Sequence, residues 1–304
     1  MTPPVTAPAL PASPVLTLAQ DVAARLPMRA GAAWTVEPYR AWWTARHPAA
    51  RLVHGRRALV LVARPWDTQI GWQLPDREPY QPDVTLPNLA PIPIAHEVLR
   101  QVLPVLDDQA AATVTDATRA RHVLLAEIGA AIRAQGVATY ERAGLLVNTG
   151  TVTWSAGGVR YSATLHGSNP VCDVQLTGPV HAVERAATRF LPTAYAGQKP
   201  RFPIDGIRGR LPRRVAAYLA PYTAVSQTEQ GGLAFGPEKG PYGYVAPAAD
   251  PLARVQNTTP VSVDVHGVGV DLLLSLAPHL TVDPRVRPAD RHKGRTLPPG
   301  RTTP

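Results

Sequence analysis

Three times along this chain a short run of strictly alternating apolar and polar residues leads, directly or after a loop, into an amphipathic helix. In the first, Ile70, Trp72 and Leu74 alternate with Gln69, Gly71 and Gln73; a proline-rich loop follows, then a helix with Ile94, Val98, Leu99, Val102, Leu103 and Leu106 on one side. In the second, Cys172, Val174 and Leu176 alternate with polar neighbours, and Val180, Val183, Ala187, Phe190 and Leu191 line one helix stripe. In the third, Val261, Val263 and Val265 alternate with Ser262, Asp264 and His266, and Gly267 and Gly269 lead to a helix around Val270, Leu273, Leu274 and Ala277. Alternation with period two buries one strand face, and spacing near 3.6 buries one helix stripe. Each run can therefore lay its helix on the apolar face of its own sheet.

Further strands and helices fit around these. Residues 51–64 read as a hairpin turning near His54-Gly55, and 151–155 with 159–166 as a second hairpin around Ala156-Gly157-Gly158. Stretches 220–235 and 242–246 flank another glycine-rich loop, and helices are expected over 17–26 and 116–135, the latter ended by Gly136. The fold class is α+β: two or three β-β-β-α-like units with helices packed on one face of antiparallel sheets. The divisions expected are a disordered Pro-rich N-terminus (1–14), a Trp-rich α+β unit (15–110) and an α-β-β-β-α unit (111–198). A basic connector (199–214), a β-rich unit with a C-terminal helix (215–280) and a basic disordered tail (281–304) follow. The shared element order suggests an internal repeat.

Charge is distributed unevenly. Residues 199–214 and 285–301 each hold six basic residues and one acid, while the whole chain carries a formal net charge of +9. The rest is close to neutral. The bias toward arginine, alanine and proline also fits a high-GC bacterial genome. Cys172 is the only cysteine, which excludes an intrachain disulfide and a cysteine-based zinc site and fits a reducing cytoplasm. The N-terminus lacks the pattern of a secretory signal. No apolar run is long enough to span a bilayer, so no membrane partner is expected.

Motifs for chemistry are weak. His96-Glu97 begins like a zinc-binding H-E-x-x-H, but Arg100 replaces the second histidine. His122, His166, His181 and His266 converge with Asp173, Glu184 or Asp264 only if the fold brings them together. Gly236–Gly243, with Lys239, lacks the phosphate-loop pattern, and Gly267-Val268-Gly269 lacks the third glycine of a dinucleotide fingerprint. Residues 119–191 run helix, strand, strand, strand, helix, an order also found in double-stranded RNA-binding domains. The second helix there opens His181-Ala182-Val183-Glu184 without the lysine cluster of that family, and the chain is not assigned to it. Trp34, Trp42, Trp43, Trp66 and Trp72 are expected to fill the first core.

The basic segments remain. The leading expectation is a non-enzymatic protein that binds nucleic acid or an acidic partner through Arg208, Arg210, Arg213 and Arg214 of the connector and Arg291, Lys293 and Arg295 of the tail. Flexible arginines of this kind suit phosphate contact rather than base readout. The alternative is a protein–protein interaction module; a small-molecule enzyme with a histidine-based site ranks below both. No cofactor is expected.

Overall fold

A computed structural model describes residues 13–40, 43, 47–74, 79, 81–87, 90–111, 117–143, 149–192, 202–237, 239–248, 250 and 253–281. The fold is α+β, with a five-stranded and an eight-stranded sheet, both antiparallel.

The first sheet is a meander, β1 (Thr35–Tyr39), β2 (Ala49–His54), β3 (Arg57–Ala63), β4 (Thr68–Gln73) and β5 (Val84–Leu86), paired in chain order. Leu52 faces Leu59, and Leu59 in turn faces Trp72, so these side chains share one face. That face is buried in the same core as Val15, Ala19 and Val22 of α1 (Pro14–Ala23) and Ile94 of α2 (Pro91–Glu97). A turn of π-helix (Val98–Val102) joins α2 to α3 (Leu103–Ala111). Pro104 lacks the N–H that a regular ladder would send to the carbonyl of Arg100, which favours this local register change. Trp34 and Trp72 are buried as expected, and Trp43 packs against Val60 and Val62 on the opposite face of the sheet. Trp66 departs from the expectation: it is exposed, with Arg64 over its ring, and Trp42 lies outside the described residues.

The second sheet runs β10-β11-β12-β13-β9-β8-β7-β6. Its two halves are α4 (Ala117–Arg133), β6 (Thr139–Ala143), β7 (Thr149–Ala156), β8 (Val159–His166), β9 (Val171–Pro179) and α5 (Val180–Thr188), then α6 (Arg210–Leu219), β10 (Val225–Gln227), β11 (Leu233–Phe235), β12 (Tyr242–Val245), β13 (Pro260–Gly269) and α7 (Val270–Thr281). Each half is therefore helix, four strands, helix. They meet at the centre, where β9 pairs antiparallel with β13 and Val174 lies opposite Val265. The expected stretches 111–198 and 215–280 thus share one sheet. Val152, Tyr161, Ala163, Val174, Leu176, Val263 and Val265 are buried in the helix-covered core, while Thr153, Ser162, Thr164, Gln175, Ser262 and Asp264 alternate with them onto the other, polar face.

The first unit is fastened to α4 and α7 by a buried ionic cluster. Nη1 of Arg57 donates to Oδ1 (2.8 Å) and Oδ2 (3.0 Å) of Asp107 and to Oδ2 of Asp271 (2.8 Å). Arg29 reaches Glu127, Asp107 and Asp271 at 3.2, 3.5 and 3.4 Å. No helix among the described residues is long and apolar enough to cross a membrane.

Candidate anion-binding surface

The stretch expected to be a connector becomes helical at Arg210. Leu211, Val215, Ala216 and Leu219 are buried, and they recur at helical spacing between the arginines. Pro212 falls in the first turn, where a missing N–H is tolerated. Gly209, at φ +86°, provides the N-cap conformation. Before the helix, the backbone of Arg208 is pinned to β10: its N–H donates to Gln227 Oε1 (2.8 Å), and Gln227 Nε2 donates to its carbonyl (3.0 Å). Arg208, Arg210 and Arg213 are nevertheless exposed, and their side chains form no ion pair among the described residues.

Arg214 differs. Its Nε and Nη2 lie 3.1 and 3.3 Å from the two oxygens of Glu184 on α5, and Nη2 also donates to Asn257 Oδ1 at 2.9 Å. Part of the positive charge is thus folded back onto the body. The other side of α5 restores it: Arg185 and Arg189, one turn apart, are exposed on its outer face. Arg185 donates to the carbonyl of His181, one turn earlier, and His181 Nδ1 donates to the Asn257 carbonyl at 2.7 Å. A carbonyl only accepts, so that nitrogen carries the proton.

Two depressions flank α5. A groove of about 470 Å³ is lined by His181, Glu184, Arg185, Arg214, Ala217 and Tyr218. A second cavity of about 200 Å³ has Val159, Tyr161, Ala186 and Leu280 as apolar lining, with Arg185, Arg189 and His279 beside them. Arg185 borders both. Burial pushes the Tyr161 phenol up to about 12 and nearby Arg189 partly offsets this; burial also raises Tyr218. His279 and Leu280 belong to the last turn of α7, so the chain leaves the described residues beside Arg185 and Arg189. Arg291, Lys293 and Arg295 lie outside the described residues.

The histidines divide. His166 Nε2 and His266 Nδ1 approach the two oxygens of Asp173, at 3.2 and 3.0 Å, and His266 stacks on Tyr242 with ring centroids 5.4 Å apart. The register shift between Val265 and Val268 aims His266 there, and Gly267 takes the positive φ (+70°) that the irregularity needs. The constellation stands on the polar sheet face, with His166 58% exposed, and lines neither depression. His181 is remote from it, held by Asn257. Among the described residues no group of three histidines, cysteines or acids is arranged to hold a metal ion.

Arg185 and Arg189 stand outside the two runs of charge in the sequence. Their signal was the four-residue spacing opposite the apolar stripe of α5. No family model, no curated protein and no solved structure matches this chain.

Proposed function

We propose that this is a non-enzymatic binding protein that holds a polyanion, the phosphate backbone of nucleic acid, on the surface formed by α5 and α6. The supporting observation is the placement of the α6 arginines. Arg210 and Arg213, whose charges are not met by Glu184 as that of Arg214 is, occupy the first turns of a helix that has no acidic residue there and, among the described residues, no side-chain cap. Cations at a helix N-terminus oppose the macrodipole, each by about 0.3–1 kcal/mol, so helix stability does not account for them. An anionic partner does: it meets the exposed guanidinium groups and the positive end of the helix together.

Arg208, Arg210, Arg213 and Arg185 make the first contacts, with Arg189 at the edge. The arginine-rich segment carrying Arg291, Lys293 and Arg295 follows α7 and supplies a second contact. The contacts are to backbone phosphate and carry little sequence preference. The matched order of the two halves of the large sheet supports reading them as copies of one unit, and the lone cysteine fits a cytoplasmic setting.

Titration of labelled duplex DNA across salt tests the reading. Observed affinity should fall linearly on a log–log plot, with a slope of about −0.9 per neutralised phosphate. Replacing Arg210 and Arg213 with alanine should flatten that slope by about two contacts. No binding at low salt, or an unchanged slope in the double variant, rejects this surface. A second reading, a protein–protein module, is favoured by Tyr242 and Tyr244, both exposed beside His266 on the polar sheet face. Pull-down of a partner that survives the arginine changes but not Tyr242→Ala/Tyr244→Ala would support it.

A further inference from the structure

The cluster joining the first unit to α4 and α7 has more negative than positive groups. Asp107 of α3, Asp271 of α7 and Glu127 of α4 face Arg57 of β3 and Arg29 of the turn before β1. Among the described residues, the only other titratable neighbour hydrogen-bonded into it is His54 of β2. Arg57 Nη2 donates to His54 Nδ1 at 3.1 Å, so the ring proton is on Nε2, which donates to the Ala32 carbonyl at 3.1 Å. An imidazole in that tautomer adds no charge. Adjacent charged groups turn away: Asp108 takes Asn169, and Arg121 donates to the Gly167 carbonyl.

Three carboxylates thus share two guanidinium groups, with Asp107 and Asp271 only 4% and 1% exposed. Among the described residues Asp271 Oδ1 has no hydrogen-bond partner, and it is buried from solvent. An unbalanced buried anion is costly, and a carboxyl relieves it by keeping a proton. The turn over the cluster is itself strained. Ala30 is at φ +50°, the left-handed region, and its N–H donates to Glu127 Oε1 at 3.0 Å.

We propose that Asp107 and Asp271 share one bound proton in the closed structure, and that its loss loosens the docking of the first unit, turn 29–32 included, on α4 and α7. Burial pushes Asp107 up to about 7, against the pull of Arg57. Burial also acts upward on Asp271, but Arg57 and Arg29 outweigh it and hold that carboxyl low. The pair therefore takes up one proton near neutrality, and the site belongs to the pair. The native carboxyl binds its proton more tightly than the unfolded one. Its stabilisation is full below about pH 4 and is lost as pH rises toward 7. An opening equilibrium tied to this proton increases about tenfold between pH 6 and pH 8.

Carbon-13 NMR of aspartate carboxyls in the full chain tests the proposal. One carboxyl should titrate near pH 7 and disappear in Asp107→Asn, whose amide reproduces the protonated form. Hydrogen exchange, corrected for intrinsic rates, should show the tenfold rise around Ala30, Arg57 and Glu127 in the native chain and not in the variant. If every carboxyl of the native chain titrates in the usual range near 4, the proposal is overturned even if the variant does not fold. It is equally overturned if the variant folds and keeps the full pH response.

Discussion

Oε1 of Glu184 lies 3.1 Å from Nε of Arg214, beneath the surface that α5 and α6 share. The carboxylate is 4% exposed and the guanidinium 29%. Removing either charge therefore has unequal consequences. Arg214→Ala leaves a buried carboxylate without its cation and should cost about 3 kcal/mol. Glu184→Gln keeps the shape and one acceptor, and should cost about 1–2 kcal/mol. Urea unfolding gives the order directly. The glutamine variant should also bind duplex DNA more tightly at low salt, because Arg214 is freed; a reversed order of stabilities would contradict the burial account.

The ionic cluster under the first unit answers to a larger perturbation. Arg57→Met leaves Asp107 and Asp271 with only the longer contacts of Arg29, which Glu127 also shares, and should lower stability by about 3–5 kcal/mol. Adding Asp107→Leu and Asp271→Leu should recover most of that loss, since apolar replacement removes the uncompensated charges as a set. Glu127 keeps Arg29 paired at 3.2 Å in that triple variant. Denaturant midpoints of the single and triple variants make the comparison; a triple variant weaker than the single one would show that packing, not charge, governs the site.

How much of this was legible in the sequence depends on how local each cause is. The strand Val171–Pro179 and helix Val180–Thr188 were readable because one face of each is buried and the period is unbroken. The hairpin at Gly157-Gly158 was readable for the same reason, with glycine supplying φ of +57° and +81°. Helix α6 was obscured because its apolar positions, Leu211, Val215 and Leu219, stand among three arginines and a proline that read as a connector. Strand β5 was hidden in a proline-rich stretch: its three residues hold their form by pairing with β4, from Thr68 opposite Leu86 to Ile70 opposite Val84. The pairing of Val174 with Val265 joins residues far apart in the chain, and no local pattern encodes it. The same holds for the site. The α6 arginines were visible as charge, whereas their neighbours Arg185 and Arg189, and the meeting of His166 and His266 on Asp173, depend on tertiary placement.

Close backbone approach makes Gly243 on β12 sensitive. A Cβ there would stand 2.4 Å from Cζ of Phe235 and 2.5 Å from the carbonyl oxygen of Asp264. The second contact is backbone in the neighbouring strand and cannot swing away. Gly243→Ala should cost about 1–3 kcal/mol. Gly136→Ala is the control: among the described residues nothing lies within 4 Å of its Cβ position, and only its φ of +79° resists, at about 1–2 kcal/mol. Thermal melts of both variants check this, with a larger loss at Gly243 expected on packing grounds.

Cys172 reports on the centre of the large sheet. It is 1% exposed, beside the β9–β13 pair, and its thiol donates to the Val268 carbonyl at 3.3 Å. Burial pushes the thiol far above its ordinary range, with Asp173 adding to the effect. A thiol reagent attacks the thiolate, so the native protein should be inert to it at neutral pH. Labelling should then proceed only through opening of the strands that cover the sulfur, at a rate that follows the open population. Every 1.4 kcal/mol of destabilisation should speed it about tenfold, provided reclosing outpaces the reagent. Gly243→Ala, one strand beyond β13, should therefore accelerate labelling by the factor its lost stability dictates. Rapid labelling of the unperturbed chain without denaturant would mean that β9 and β13 part locally, and would contradict the protection expected from burial.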